Sequence, residues 1–184
     1  MSARRAPADR KAPEPLRVEL QFATRKPWSP GPVALRRWAR AAHAAGCAAL
    51  AGGSRRRGAQ ATSGAIVCIR IVGAAESRRL DRAYRGKDKP TNVLSFPASA
   101  AEATESGALG DLVICAPVVA REAADQGKTL AEHWSHMVVH GTLHLLGFDH
   151  ERPRAARAME ALEVEILRGF GYQDPYLLVT KSAE

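Results

Sequence analysis

Aromatic side chains are scarce in this sequence: four Phe, three Trp and three Tyr among 184 residues. Few platforms are therefore available on which bases or sugars could stack. Cysteine is scarcer still. Cys47, Cys68 and Cys115 are odd in number and widely separated, so they form neither a disulfide framework nor a Cys-x-x-Cys metal knuckle. That usage fits a reducing, cytoplasmic setting. No stretch approaches the roughly 18–20 uncharged apolar residues that a spanning helix needs, which argues against a membrane protein or a membrane partner. Acidic residues are thin in the first half. What is plentiful is ordinary: 46 % apolar and 25 % charged residues, a composition that excludes wholesale disorder and suits one globular domain.

The charge is unevenly spread. Residues 1–89 carry 20 basic and 6 acidic side chains, and residues 90–184 carry 7 and 13. A basic half can gather a polyanion by counterion release, although Arg supplies 21 of the 27 basic residues, as the compositional bias of a GC-rich genome would. Residues 1–15 are rich in Arg, Ala and Pro without an apolar block and read as a basic, disordered tail. Residues 16–180 read as a single domain, and 181–184 as a short C-terminal tail.

Within that domain, period-two alternation predicts strands over 16–22 and 65–72, with further extended segments at 91–96 and 109–115. Helical spacing predicts helices over 33–50, 75–84, 117–126, 130–146 and 155–167, several closed by Gly. Residues 54–64, with Arg55, Arg56 and Arg57, read as a basic loop, 85–90 as a polar loop, and 98–107 as a loop of small polar residues. Strands interleaved with helices on one small sheet define an α/β (α+β) single domain.

The informative stretch is H-G-T-L-H-L-L-G-F-D-H at 140–150. His140 and His144 lie one helical turn apart on one face, a spacing that lets two imidazoles grip one metal ion. Gly147 breaks the helix and allows His150 to return to the same ion. Three neutral imidazoles leave one position of a tetrahedral Zn²⁺ open, the arrangement of a catalytic site. His136, one turn before His140, is a rival ligand or a donor behind the ligands. Asp149 is a candidate to orient an imidazole. The spacing is that of zinc peptidases, but the general-base Glu those enzymes carry beside the first His is replaced by Gly141. Peptide hydrolysis becomes the alternative reading. A metal ion acidifies its own water to about pH 7, so hydrolysis does not require that Glu.

A second segment, L-D-R-A-Y-R-G-K-D-K-P-T-N-V-L-S-F-P at 80–97, sets Arg85, Lys87 and Lys89 before an extended run. Cations there could clamp a phosphodiester and neutralise its transition state. Arg85 could equally be a structural partner of Asp81 or Asp88. Tyr84 and Phe148 flank the two motifs as candidate stacking surfaces or as core.

Taken together, R-G-K-D-K-P-T-N-V-L-S-F-P at 85–97, L-G-D-L-V-I-C-A-P at 109–117 and the His motif resemble the YbeY endoribonuclease family of bacterial rRNA maturation factors. The resemblance spans about residues 16–179 and includes the helix bearing Met159, Glu160 and Glu163 and the Pro175-Tyr176 pair. It implies a small, mainly parallel sheet with the metal helix packed against it. It also implies a zinc-dependent, single-strand-specific endoribonuclease that acts in 16S rRNA 3′-end maturation and late-stage ribosome quality control. Its partners would be rRNA and the ribosome or small subunit with its assembly factors, not DNA, and a ribosome-assembly factor with a structural zinc is a third reading beside the ribonuclease and the peptidase. By motif position, His140, His144 and His150 take the zinc-ligand roles and Arg85 that of the catalytic arginine. Position 92 is Asn here, where many members carry Asp.

Overall fold

A computed structural model describes residues 15–24, 29–52 and 64–177. The basic loop at Arg55–Arg57, most of the N-terminal tail and all of the C-terminal tail lie outside the described residues. Ten elements follow one another: β1 (Arg17–Phe22), α1 (Pro32–Gly52), β2 (Ile66–Val72), α2 (Ala74–Arg85), β3 (Val93–Pro97), α3 (Ala100–Ser106), β4 (Ala108–Cys115), α4 (Ala116–Asp125), α5 (Leu130–Leu145) and α6 (Pro153–Arg168).

The sheet order is β1-β2-β4-β3. β1, β2 and β4 run parallel, and β3 closes one edge antiparallel to β4, with Val93 opposite Ile114 and Pro97 opposite Gly110. Both faces are covered, as parallel strands require. On β4, Leu112 and Ile114 point into the main core with Val67, Ile69, Trp134 and Val138. Val113 and Cys115 point the other way, onto Leu94 and Val118. This period-two division makes β4 almost wholly apolar and seats a helix on each side of it.

α5 is the element that matters for function. It lies beside β3 and β4 and is flanked by α1, α4 and α6. Its start is fixed by a capping box, with Thr129 accepting from the Glu132 backbone N–H and Glu132 reaching back to the Thr129 N–H. Gly141 lets the helix approach the sheet, because a Cβ there would meet Leu112 Cδ2 at 2.8 Å. α6 then packs across α1 and α5 and buries Met159, Glu163, Ile166 and Leu167.

The four strands and the five helices read from periodicity are all present, with small shifts of boundary. The segment 98–107 differs: it is not a loop but carries α3. That helix buries no residue, so apolar periodicity could not report it. Its signal is the capping box of Ser99 and Glu102, closed by Gly107 at φ 72°. α2 also runs one residue past Tyr84, so Arg85 ends a helix and does not open a loop.

Candidate metal centre and cleft

The end of α5 is built to present two imidazole nitrogens to one point. Gly147 adopts φ 86°, and its N–H donates to the His144 carbonyl while that of Phe148 donates to the Leu143 carbonyl, a left-handed helix cap. The turn brings the Phe148 carbonyl back over His144, where it accepts from Nδ1 at 3.0 Å. His140 Nδ1 donates to Glu163 Oε1 at 2.8 Å. With both Nδ1 atoms committed as donors, both Nε2 atoms carry lone pairs, and these face each other at 3.0 Å. Two acceptors so placed repel unless a cation lies between them.

His150 completes the group. Asp149 Oδ1 accepts from the Glu151 backbone N–H at 2.6 Å and so shapes the turn that carries it. The His150 ring stacks on His140 at 5.6 Å and meets His144 at 4.9 Å. One nitrogen from each of His140, His144 and His150 falls within 4.8 Å of the others. The donor set fits a divalent ion with borderline or nitrogen preference, three imidazoles from two elements with room for a fourth ligand.

Burial lowers the basicity of His144, and the neighbouring His140 and His150 lower it further, to about 4. The ring is thus held neutral, as a ligand must be. Burial also works against the Glu163 carboxylate, but hydrogen bonds from His136 and His140 outweigh it and hold its carboxyl at about 2. Tyr176 donates to the same carboxylate, and burial followed by that acceptor pushes its hydroxyl far up.

His136 is turned toward Glu163 Oε2 at 3.3 Å and is not among the three converging imidazoles. A second group of possible ligands, His136, His140 and Glu163, is already tied together by its own hydrogen bonds. Spacing alone does not mark Glu163 and Tyr176 as site residues. The signal the sequence offers is an acid within the apolar stripe Met159, Ile166 and Leu167, since a buried carboxylate must find partners.

The three His side chains open onto a cleft of about 860 Å³. Its far wall is the loop after α2 together with β3. Gly86, at φ 70°, ends α2 and turns the chain so that Arg85, Lys87 and Lys89 line the same space. Arg85 approaches Asp81 Oδ1 at 3.8 Å, with the arginine half exposed and the aspartate 1 % exposed. Asp88 is occupied by Arg78, at 2.8 and 2.6 Å. Asp81 is therefore the partner of Arg85. The contact is longer than a hydrogen bond and leaves the guanidinium donors available to the cleft. Tyr84 is exposed in the cleft and packs edge-on against Phe96 at 4.9 Å, whereas Phe148 packs on the core formed by Val139, Leu143 and Met159. Asn92 donates to Glu122 at 3.0 Å, and Glu122 also holds His133 Nε2 at 2.9 Å. Asn92 thereby ties the start of β3 to α4 and α5.

Fold and site together define an α/β domain with a three-histidine metal-type centre beside a cationic cleft. The sequence profile of the family described as Endoribonuclease YbeY matches residues 54–171. The Endoribonuclease YbeY of Alkalilimnicola ehrlichii is 49 % identical over 166 residues, covering 89 % of this chain and 92 % of the relative. The chain belongs to the YbeY family. The solution structure of TM1509 from Thermotoga maritima shares the fold, with a TM-score of 0.52 and 20 % identity over 88 % of this chain and 99 % of that one.

Proposed function

We propose that this chain is a zinc-dependent endoribonuclease that cuts single-stranded RNA, acting in the cytoplasm on 16S rRNA 3′-end maturation and late-stage ribosome quality control in contact with the small subunit. Membership of the YbeY family supports RNA cleavage. The observation that carries the metal-dependent reading is the pair of Nε2 lone pairs facing each other at 3.0 Å beside Arg85, Lys87 and Lys89.

His140, His144 and His150 would hold the ion, and a zinc ion bound there would supply Lewis acidity for a phosphoryl oxygen or for a water. Glu163 fixes the tautomer and direction of His140, and the Phe148 carbonyl does the same for His144. Arg85 lies loosely against Asp81 and offers its remaining N–H groups to the phosphate, where they offset charge growing in the transition state. Lys87 and Lys89 attract the backbone on either side. His136 is a supporting group, since it faces Glu163 and would not close a set of four ligands, which disfavours a purely structural zinc. Peptide hydrolysis is disfavoured because position 141, where zinc peptidases carry their general-base Glu, is a glycine packed against Leu112.

Cleavage of a single-stranded RNA should disappear on chelation and return with stoichiometric Zn²⁺, while a duplex of the same sequence stays intact. Activity that survives complete metal removal would sink the reading.

A further inference from the structure

Among the described residues β3 has one paired edge and one open edge, and residues of β3 line the cleft. In an antiparallel pair, residues alternate between directing both backbone groups at the partner and directing both away. The Asn92 carbonyl accepts from Cys115, and the Ala98 N–H donates to Leu109. Both contacts fit the register in which Leu94 faces Val113 and Phe96 faces Asp111. Even-numbered residues thus pair with β4, and Val93, Ser95 and Pro97 turn their backbone groups outward.

Those three outward positions are not equivalent. The Val93 N–H is taken by Asn92 Oδ1 at 2.7 Å. Pro97 has no N–H. Ser95 alone of the three presents both an N–H and a carbonyl. An extended peptide adding as a further strand needs a run of alternating donors and acceptors, and this edge denies it two of three donors. What is left is a single donor, and only at Ser95 does a donor stand beside an acceptor of the same residue, a pair the size of one nucleobase edge. The side chain of Ser95 points at the Gly141 carbonyl, 3.4 Å away, which places this pair next to the residue that follows His140. Arg85, Lys87 and Lys89 supply the charge that a polyanion requires on the same cleft.

We infer that the outward N–H and carbonyl of Ser95 hydrogen-bond the Watson–Crick edge of one unpaired base of the RNA substrate, next to the scissile phosphate. The inference rests on the ribonuclease reading above and adds a physical origin for single-strand selectivity. All four bases offer an adjacent donor and acceptor on that edge, and in a duplex the edge is consumed by pairing. Recognition would be sequence-tolerant and strand-specific.

The backbone pair can be tested because Pro is tolerated where a strand N–H faces outward. Zinc-loaded full-length wild type, Ser95→Ala and Ser95→Pro are compared on oligouridylate and on oligo(N3-methyluridylate), in which the donor of the Watson–Crick edge is blocked. Melting temperature and zinc content are checked for each protein. Wild type and Ser95→Ala should prefer the unmethylated RNA by about tenfold in kcat/KM, the range of one or two hydrogen bonds. Ser95→Pro, which loses the donor to a uracil carbonyl but keeps the Ser95 carbonyl that accepts from N3–H, should fall on oligouridylate far more than on the methylated RNA and so show a reduced preference. If Ser95→Pro fails to fold, an ester in place of the Ser95 amide removes the same N–H and should give the same result. A preference undiminished without the N–H, or no preference in wild type, overturns the inference. Failure of wild type to cut either RNA would overturn the ribonuclease reading, and the same methyl discrimination read by fluorescence anisotropy would then decide the inference separately. Tight binding of an extended oligopeptide that Ser95→Pro abolishes, without discrimination between the two RNAs, would assign the edge to peptide and overturn it too.

Discussion

A methyl group on residue 141 would come within 2.8 Å of Leu112 Cδ2 and 3.3 Å of Leu112 Cδ1. The glycine that looked in the sequence like a missing catalytic acid is the contact that lets α5 close on β4. Gly141→Ala should therefore destabilise by about 1–3 kcal/mol through overpacking, seen as a melting temperature lower by several degrees. Glu163 is the residue-scale surprise of the opposite kind. It is fully buried, and it holds His136, His140 and Tyr176 on one carboxylate. Glu163→Gln keeps the shape but loses the charge that fixes His140. Zinc affinity, measured by competition with a chelator, should drop about 10–100-fold. The three converging His were legible because their spacing is itself the geometry of a ligand set. Glu163 was not, because the partner that makes a buried acid tolerable comes from another helix.

Elements were legible where they bury a periodic face and illegible where they do not. α5 and β4 show their periods plainly, whereas α3 lies on the surface and is held by Ser99 and Glu102 at its start. That β3 runs antiparallel at the edge is also beyond local pattern, since direction is fixed by pairing with β4 far along the chain. The end of α5 couples helix termination to chemistry. Gly147→Ala would force a side chain into φ 86°, at a cost of about 1–2 kcal/mol, and would loosen the Phe148 carbonyl from His144, so both stability and zinc affinity should fall. The acid response of this element has a definite sign. In the metal-free protein His144 titrates near 4 against an ordinary 6.5. The unfolded chain takes up that proton first, so the contribution of His144 to stability is full above about 6.5 and is lost as pH falls toward 4. Glu163, held at about 2 against 4.5, adds a further loss between those two values. Melting of chelated protein across pH 7 to 3 should show a progressive fall in this window, and a flat profile would contradict it.

At the scale of the molecule, a sheet with helices on both faces leaves its antiparallel edge and the end of α5 to frame one cleft, with cations from the end of α2 opposite three imidazoles. The uneven charge of the sequence hinted at a polyanion, but halves of a sequence are not surfaces, and only the turn at Gly86 places Arg85, Lys87 and Lys89 together. If all three engage phosphates of single-stranded RNA, the logarithm of affinity should fall with that of salt with a slope near −2, at about 0.7 per phosphate. Lys87→Ala should make that slope shallower by about 0.7. The most direct test of the account compares wild type with Arg85→Glu, at equal zinc content, on single-stranded and duplex RNA. The account predicts zinc-dependent cleavage of the single strand by wild type and a loss of about 100-fold or more in kcat for the variant, with the duplex spared by both. Equal cleavage by the two proteins would remove Arg85 from the phosphate and contradict the proposed chemistry of the cleft.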